Sequence, residues 1–146
     1  MLKKGEIAPD FPVGDRSLYQ ILDGSAVVVF FFPKAFTPGC TKEAGGFRRE
    51  YETLRKSGCE VVGVSSDSQQ TNDRFQASLG LPYPLVGDPE GAISRAYKVR
   101  WPIIGVNQRV TYVVSRARKV RVAFHSELDM DAHVTRACET MASGAS

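Results

Sequence analysis

The stretch "AVVVFFF", Ala26 to Phe32, constrains this chain more than any other. Every side chain in it is apolar, and all but the first are β-branched or aromatic, the types that fit a packed, pleated surface. It is far short of the roughly 18 apolar residues that a membrane span needs, and the chain has no longer apolar run. With no polar residue alternating through it, the run reads as a buried strand, part of a sheet covered by helices. Pro33 has no backbone N–H and ends it.

Around this strand, apolar β-branched runs alternate with amphipathic stretches, the pattern of an α/β fold. Strands are predicted over Val27–Phe32, Val61–Ser65, Tyr83–Val86, Val110–Val114 and Val120–Phe124. Helices are predicted over Pro38–Lys56, Gln69–Leu79, Glu90–Tyr97 and Leu128–Met141. The first of these sets Ala44, Phe47, Tyr51 and Leu54 on one face and stops at Gly58. The last carries the stripe Val134, Ala137, Cys138 and Met141. Only Ser115–Lys119 joins the final two strands, so they form an antiparallel hairpin. The order implies a thioredoxin-like fold: a central mixed sheet of about five strands flanked by helices, behind an N-terminal extension. At 146 residues, with no repeat, low-complexity tract or linker, the chain is one domain, 1–146, able to bury a core without disulfides.

The bulk chemistry narrows the function. A net charge of +3 is mild, and the basic cluster "SRARKVR", Ser115 to Arg121, has no binding motif or interleaved aromatics, so it reads as a solvated turn and no nucleic-acid partner is expected. The start, "MLKKGEIAPDF", lacks the apolar core of a secretory signal, and a cytoplasmic location away from membranes is expected. Three irregularly spaced cysteines argue against a disulfide framework and suit a reducing compartment. His125 and His133 have no ligand-spaced cysteine or carboxylate cluster beside them, so they read as surface or strand-end side chains. Neither a metal nor an organic cofactor is expected.

The chemistry is expected in the loop after Pro33, at the carboxyl edge of the sheet. Thr37 followed by Pro38 reads as the N-cap and first residue of a helix, which puts Cys40 in the first turn. There a thiolate meets unpaired backbone N–H groups and the positive end of the helix dipole, so the charged, nucleophilic sulfur is favoured. Thr37 stands where a Cys-x-x-Cys motif has its first cysteine. It cannot form that disulfide, which disfavours a disulfide oxidoreductase, and it offers a hydroxyl instead.

Pro33, Thr37 and Cys40 spell Pro-x-x-x-Thr-x-x-Cys. With "GEIAPDF", "FFPKAFTPGCTKEA", "GVSSDS", "YPLVGDPEGAISRAYKV" and "QRVTYVV", the sequence resembles the peroxiredoxins over most of its length, in the subgroup related to bacterioferritin comigratory protein, or PrxQ. The resemblance implies a thiol-dependent peroxidase in which the Cys40 thiolate attacks a peroxide oxygen and becomes a sulfenic acid. It assigns Thr37 as a hydrogen-bonding partner of peroxide and sulfur, Pro33 as a shield over the sulfur, and Arg109 as the activating charge. Gly39 joins Thr37 and Arg109 at the substrate. Glu43, three residues beyond Cys40 on the same helical face, either orients the arginine or is a surface charge at the helix start. Lys34 and Lys42 read as solvated charges. Arg109 also follows from topology: if the strand it opens runs antiparallel to Val27–Phe32, it lies beside the cysteine loop.

The sequence departs from the subgroup in its second sulfur. The resolving cysteine that many members carry five residues after the first is here Gly45, and the alternative position in the next helix is Gln76. A whole helix, about 24 Å, separates Cys40 from Cys59, against the roughly 7 Å that a disulfide allows between Cα atoms. Cys138 lies on the buried stripe of the last helix and reads as core. A one-cysteine cycle is expected, with a thioredoxin-type protein or a low-molecular-weight thiol as reductant, in a monomer or homodimer. Pairing of Cys59 between subunits stays open. So does a redox sensor that passes Cys40 oxidation to a partner. Trp101, Pro102, Ile103 and Ile104 are a pocket wall, a subunit contact or ordinary core.

Overall fold

A computed structural model of the chain describes residues 1–102 and 104–144. The elements follow in the order β1 (Pro12–Val13), β2 (Arg16–Ser17), α1 (Leu18–Leu22), β3 (Ala26–Phe32), α2 (Pro38–Lys56), β4 (Cys59–Ser65), α3 (Gln69–Leu79), β5 (Leu85–Gly87), α4 (Ala92–Ala96), β6 (Val110–Val114), β7 (Val120–His125) and α5 (Met130–Ala142). The main sheet has the strand order β5-β4-β3-β6-β7. Strand β3 pairs parallel with β4 on one side and antiparallel with β6 on the other, with Phe31 opposite Val110. This is the mixed five-stranded sheet of a thioredoxin-like fold.

The unbroken apolar run follows from the place of β3 in the middle. All seven of its residues are buried, and alternate side chains enter opposite layers. Val28, Phe30 and Phe32 pack with Phe47 and Leu54 of α2, Phe75 of α3, and Ala137 and Met141 of α5. Val27, Val29 and Phe31 pack with Phe11, Leu18, Leu22, Tyr97 and Tyr112 on the other side. The N-terminal segment therefore closes the second layer, bridged to the sheet at Ile7 and Lys119.

Several boundaries differ from the sequence reading. The hairpin β1–β2 and helix α1 were not legible in the apolar pattern, because the strands are two residues each and the helix five. Their signal is local: Ser17 and Gln20 form a capping box, each side chain bonding the other's backbone N–H. Strand β5 starts at Leu85 rather than Tyr83, since Pro84 cannot donate to the ladder. Helix α4 starts at Ala92 rather than Glu90, because the Asp88 carboxylate accepts from the N–H groups of Ile93 and Ser94. Asp129 caps α5, leaving Leu128 outside it and exposed. Among the described residues no helix is long and apolar enough to cross a membrane.

Candidate active site

The loop after β3 is held from below by Asp67, whose Oδ2 accepts from Ala35 N at 2.7 Å and from Ser65 Oγ at 2.8 Å. Pro33 is half-buried at the strand end. Phe36 carries a positive φ of 64° and packs on Phe75 at 5.1 Å between ring centroids. Thr37 is the N-cap of α2 in extended conformation, with Pro38 at the first helical position. Its hydroxyl does not cap the helix; it donates to the Lys34 carbonyl at 2.7 Å. The hydroxyl's lone pairs stay available as acceptors.

Cys40 lies in the first turn of α2 and is buried. Antiparallel pairing of β3 and β6 brings Arg109 beside it, as the topology argument required. Arg109 Nη1 donates to Cys40 Sγ at 3.5 Å and to Glu43 Oε1 at 2.8 Å. Glu127 fixes the arginine from behind, accepting from its backbone N at 2.8 Å with the carboxylate and from Nε at 3.2 Å with the backbone carbonyl. Gly39 is bare for a reason of space: a Cβ there would stand 3.2 Å from Arg109 Nη2 and 3.5 Å from Met130 Cε.

Glu43 is completely buried and paired with Arg109, so the surface-charge alternative is ruled out. Burial pushes its carboxyl up to about 8, against the pull of the guanidinium. His133 corrects the sequence reading. It is not on the surface but fully buried one layer behind Glu43. Its Nδ1 meets Thr111 Oγ1 at 2.8 Å, its Nε2 meets the Ser126 carbonyl at 2.7 Å, and burial holds the ring down to about 4. His125 is exposed at the end of β7, as read, and pairs with Glu127.

The remaining sequence candidates stand apart. Lys34 and Lys42 are exposed, Lys42 in an ion pair with Asp131 at 3.5 Å. Cys59 opens β4 opposite Ala26, at the far end of the sheet from Cys40, and burial pushes its thiol up to about 12. Cys138 is half-buried and packs against the edge of the core, in a cleft with Glu50 and Glu139, and burial together with the Glu50 charge raises its thiol. All three cysteines are free. Trp101 is half-buried against His125, whereas Pro102 and Ile104 are exposed, so these two are not core; Ile103 lies outside the described residues. No metal-binding group of His, Cys, Asp or Glu occurs among the described residues.

The fold and the site together define a protein with one buried cysteine at a helix head, faced by an arginine from the neighbouring strand of a thioredoxin-like sheet. The chain belongs to the AhpC/TSA family, whose pattern matches residues 5–123. Peroxidoxin BcpB of Mycobacterium tuberculosis is 33% identical, with a TM-score of 0.92 and full coverage of both chains. Peroxiredoxin Q of Xanthomonas campestris is 29% identical, with a TM-score of 0.77 over 84% of this chain and 81% of that one. The chloroplastic peroxiredoxin Q of Gentiana triflora is 33% identical over 91% of this chain and 64% of its own length. The chain thus spans just under two thirds of that plant relative.

Proposed function

We propose that the chain is a thiol-dependent peroxidase that reduces hydrogen peroxide or organic hydroperoxides through Cys40. The observation that carries this reading is the single guanidinium shared between the Cys40 sulfur at 3.5 Å and Glu43 at 2.8 Å, at the N-terminus of α2. A positive charge beside a sulfur in the first helical turn favours the thiolate, the form that attacks.

In the reaction, the Cys40 thiolate forms a bond to one peroxide oxygen as the O–O bond breaks. The bonding pair leaves with the second oxygen, which takes a proton and departs as water or alcohol. The sulfur is oxidised to a sulfenic acid and the peroxide is reduced. Thr37 accepts the peroxide's hydrogen on a hydroxyl lone pair, while Arg109 stabilises the charge developing on the leaving oxygen. Pro33 limits water at the sulfur, and Gly39 leaves room for the guanidinium.

With Cys59 at the other end of the sheet and Cys138 on α5, an external thiol resolves the sulfenic acid. Attack by one thiol releases water and leaves a mixed disulfide; a second thiol frees Cys40. A thioredoxin-type protein or a low-molecular-weight thiol fills this role, and the free cysteines suit the cytoplasm. The test is catalytic peroxide consumption with an added thiol. Cys40→Ser is expected to abolish it, and Arg109→Met to slow it by about 10²- to 10³-fold. Stoichiometric oxidation ending in a stable mixed disulfide with a partner would instead mark a sensor and contradict the peroxidase.

A further inference from the structure

Behind Arg109 lies a layer of buried polar groups that the peroxide chemistry leaves unused. Glu43 gives Oε1 to Arg109, but Oε2 is buried with no hydrogen-bond partner. That oxygen faces His133 Nδ1 at 3.5 Å. The ring's tautomer is fixed: Nε2 lies 2.7 Å from the Ser126 carbonyl, which can only accept, so Nε2 carries a hydrogen. In the neutral ring Nδ1 is then an acceptor only, to which the Thr111 hydroxyl at 2.8 Å can donate, with the carboxyl oxygen 3.5 Å away. A carboxylate oxygen and a ring lone pair opposed in the protein interior disfavour each other. One proton between them removes the conflict.

We propose that Glu43 and His133 share one buried proton, and that this proton decides how the charge of Arg109 is divided between Glu43 and Cys40. With the proton on Oε2 the carboxyl is neutral and no longer competes with a Cys40 thiolate for the guanidinium. When the proton leaves to solvent, a carboxylate at 2.8 Å competes with the sulfur and the departing oxygen for the same charge. His133 is a positioning residue: it acts through Glu43 and Arg109, not on the peroxide.

The surroundings support this arrangement. Glu43 faces Arg109 and Glu127 from the ends of β6 and β7, Tyr83 from the approach to β5, His133 from α5, and Cys40 one turn earlier on α2. His133 faces Arg109, Glu127 and His125. Burial dominates for both members, raising the carboxyl to about 8 and lowering the imidazole to about 4, so one proton stays on the pair throughout the neutral range.

The consequence for rate rests on the peroxidase reading, but the proton itself can be observed without turnover. The test follows the rate of Cys40 oxidation by hydrogen peroxide against pH, beside the infrared C=O stretch of protonated carboxyls. From about pH 7 to about pH 9.5 the wild-type rate is expected to fall about tenfold, with a midpoint near 8. A protonated-carboxyl band missing from Glu43→Gln is expected to vanish with the same midpoint. In Glu43→Gln the alkaline fall disappears, whatever its absolute rate. His133→Phe removes the Nδ1 acceptor, and moves the midpoint down by about one unit. Thr111→Val frees Nδ1 for Glu43 and moves it up. A merely structural role would not shift the two variants in opposite directions.

A flat or rising wild-type rate, no such band at neutral pH, or both variants shifting the same way overturns the inference. Should His133→Phe fail to fold, Thr111→Val and the wild-type band decide it. Should the wild type not react with peroxide at all, the peroxidase reading falls, and the infrared titration still decides the shared proton.

Discussion

At Glu43 the electrostatics of the site and the stability of the fold meet. Its folded-state carboxyl titrates near 8 rather than at the ordinary 4.5, so the folded state holds a proton that the unfolded chain has given up. Such a group favours the fold fully below about pH 4.5, and that contribution is lost as pH rises through about 8. His133 is neutral when folded and half protonated when unfolded at pH 6.5, so it adds an opposing rise that is nearly complete by about pH 7.5. Urea unfolding is therefore expected to show stability falling by on the order of 2 kcal/mol between about pH 6.5 and about pH 8 from Glu43, and that part of the fall is absent in Glu43→Gln. An unchanged slope in the variant would contradict a buried proton on Glu43. Cys40 and Thr37 were legible because helix-start chemistry is a local signal, whereas Arg109, 69 positions beyond Cys40, came from the family resemblance and a condition on strand direction. His133, Thr111 and Glu127 were not legible: Glu43 and His133 are 90 positions apart and meet only when α5 folds onto α2.

Two adjacent glycines of α2 show how elements set the cost of a substitution. A Cβ on Gly46 would stand 2.9 Å from Val134 Cγ2, where α5 crosses α2, whereas one on Gly45 would meet nothing within 4 Å. Gly45→Ala is expected to stabilise by up to about 1 kcal/mol, since glycine is a poor helix former. Gly46→Ala is expected to destabilise by about 1–3 kcal/mol, because Val134 is stiff and must move. Adding Val134→Ala should recover part of the loss; equal effects at both positions would show that the helices do not approach this closely. The long periodic helices α2, α3 and α5 were legible from their apolar faces. The N-terminal hairpin and α1 were too short to carry a period, and tertiary packing against β3 fixes them instead.

For the whole molecule, the sheet sets the distances between the sulfurs. Cys40 sits beyond the carboxyl end of β3 and Cys59 beside its start, seven residues or roughly 20 Å away along the strand. A bridge between them would require unfolding α2 or the sheet, far beyond the few ångströms a disulfide spans. On the proposed one-cysteine cycle, the oxidised protein is left with a sulfenic acid that waits for a thiol from outside. Mass spectrometry after one equivalent of peroxide, with dimedone present, measures this directly. The expected result is a dimedone adduct on Cys40 alone. An unmodified Cys40, or its rapid disulfide with Cys59 or Cys138 of the same chain, is the contradicting result.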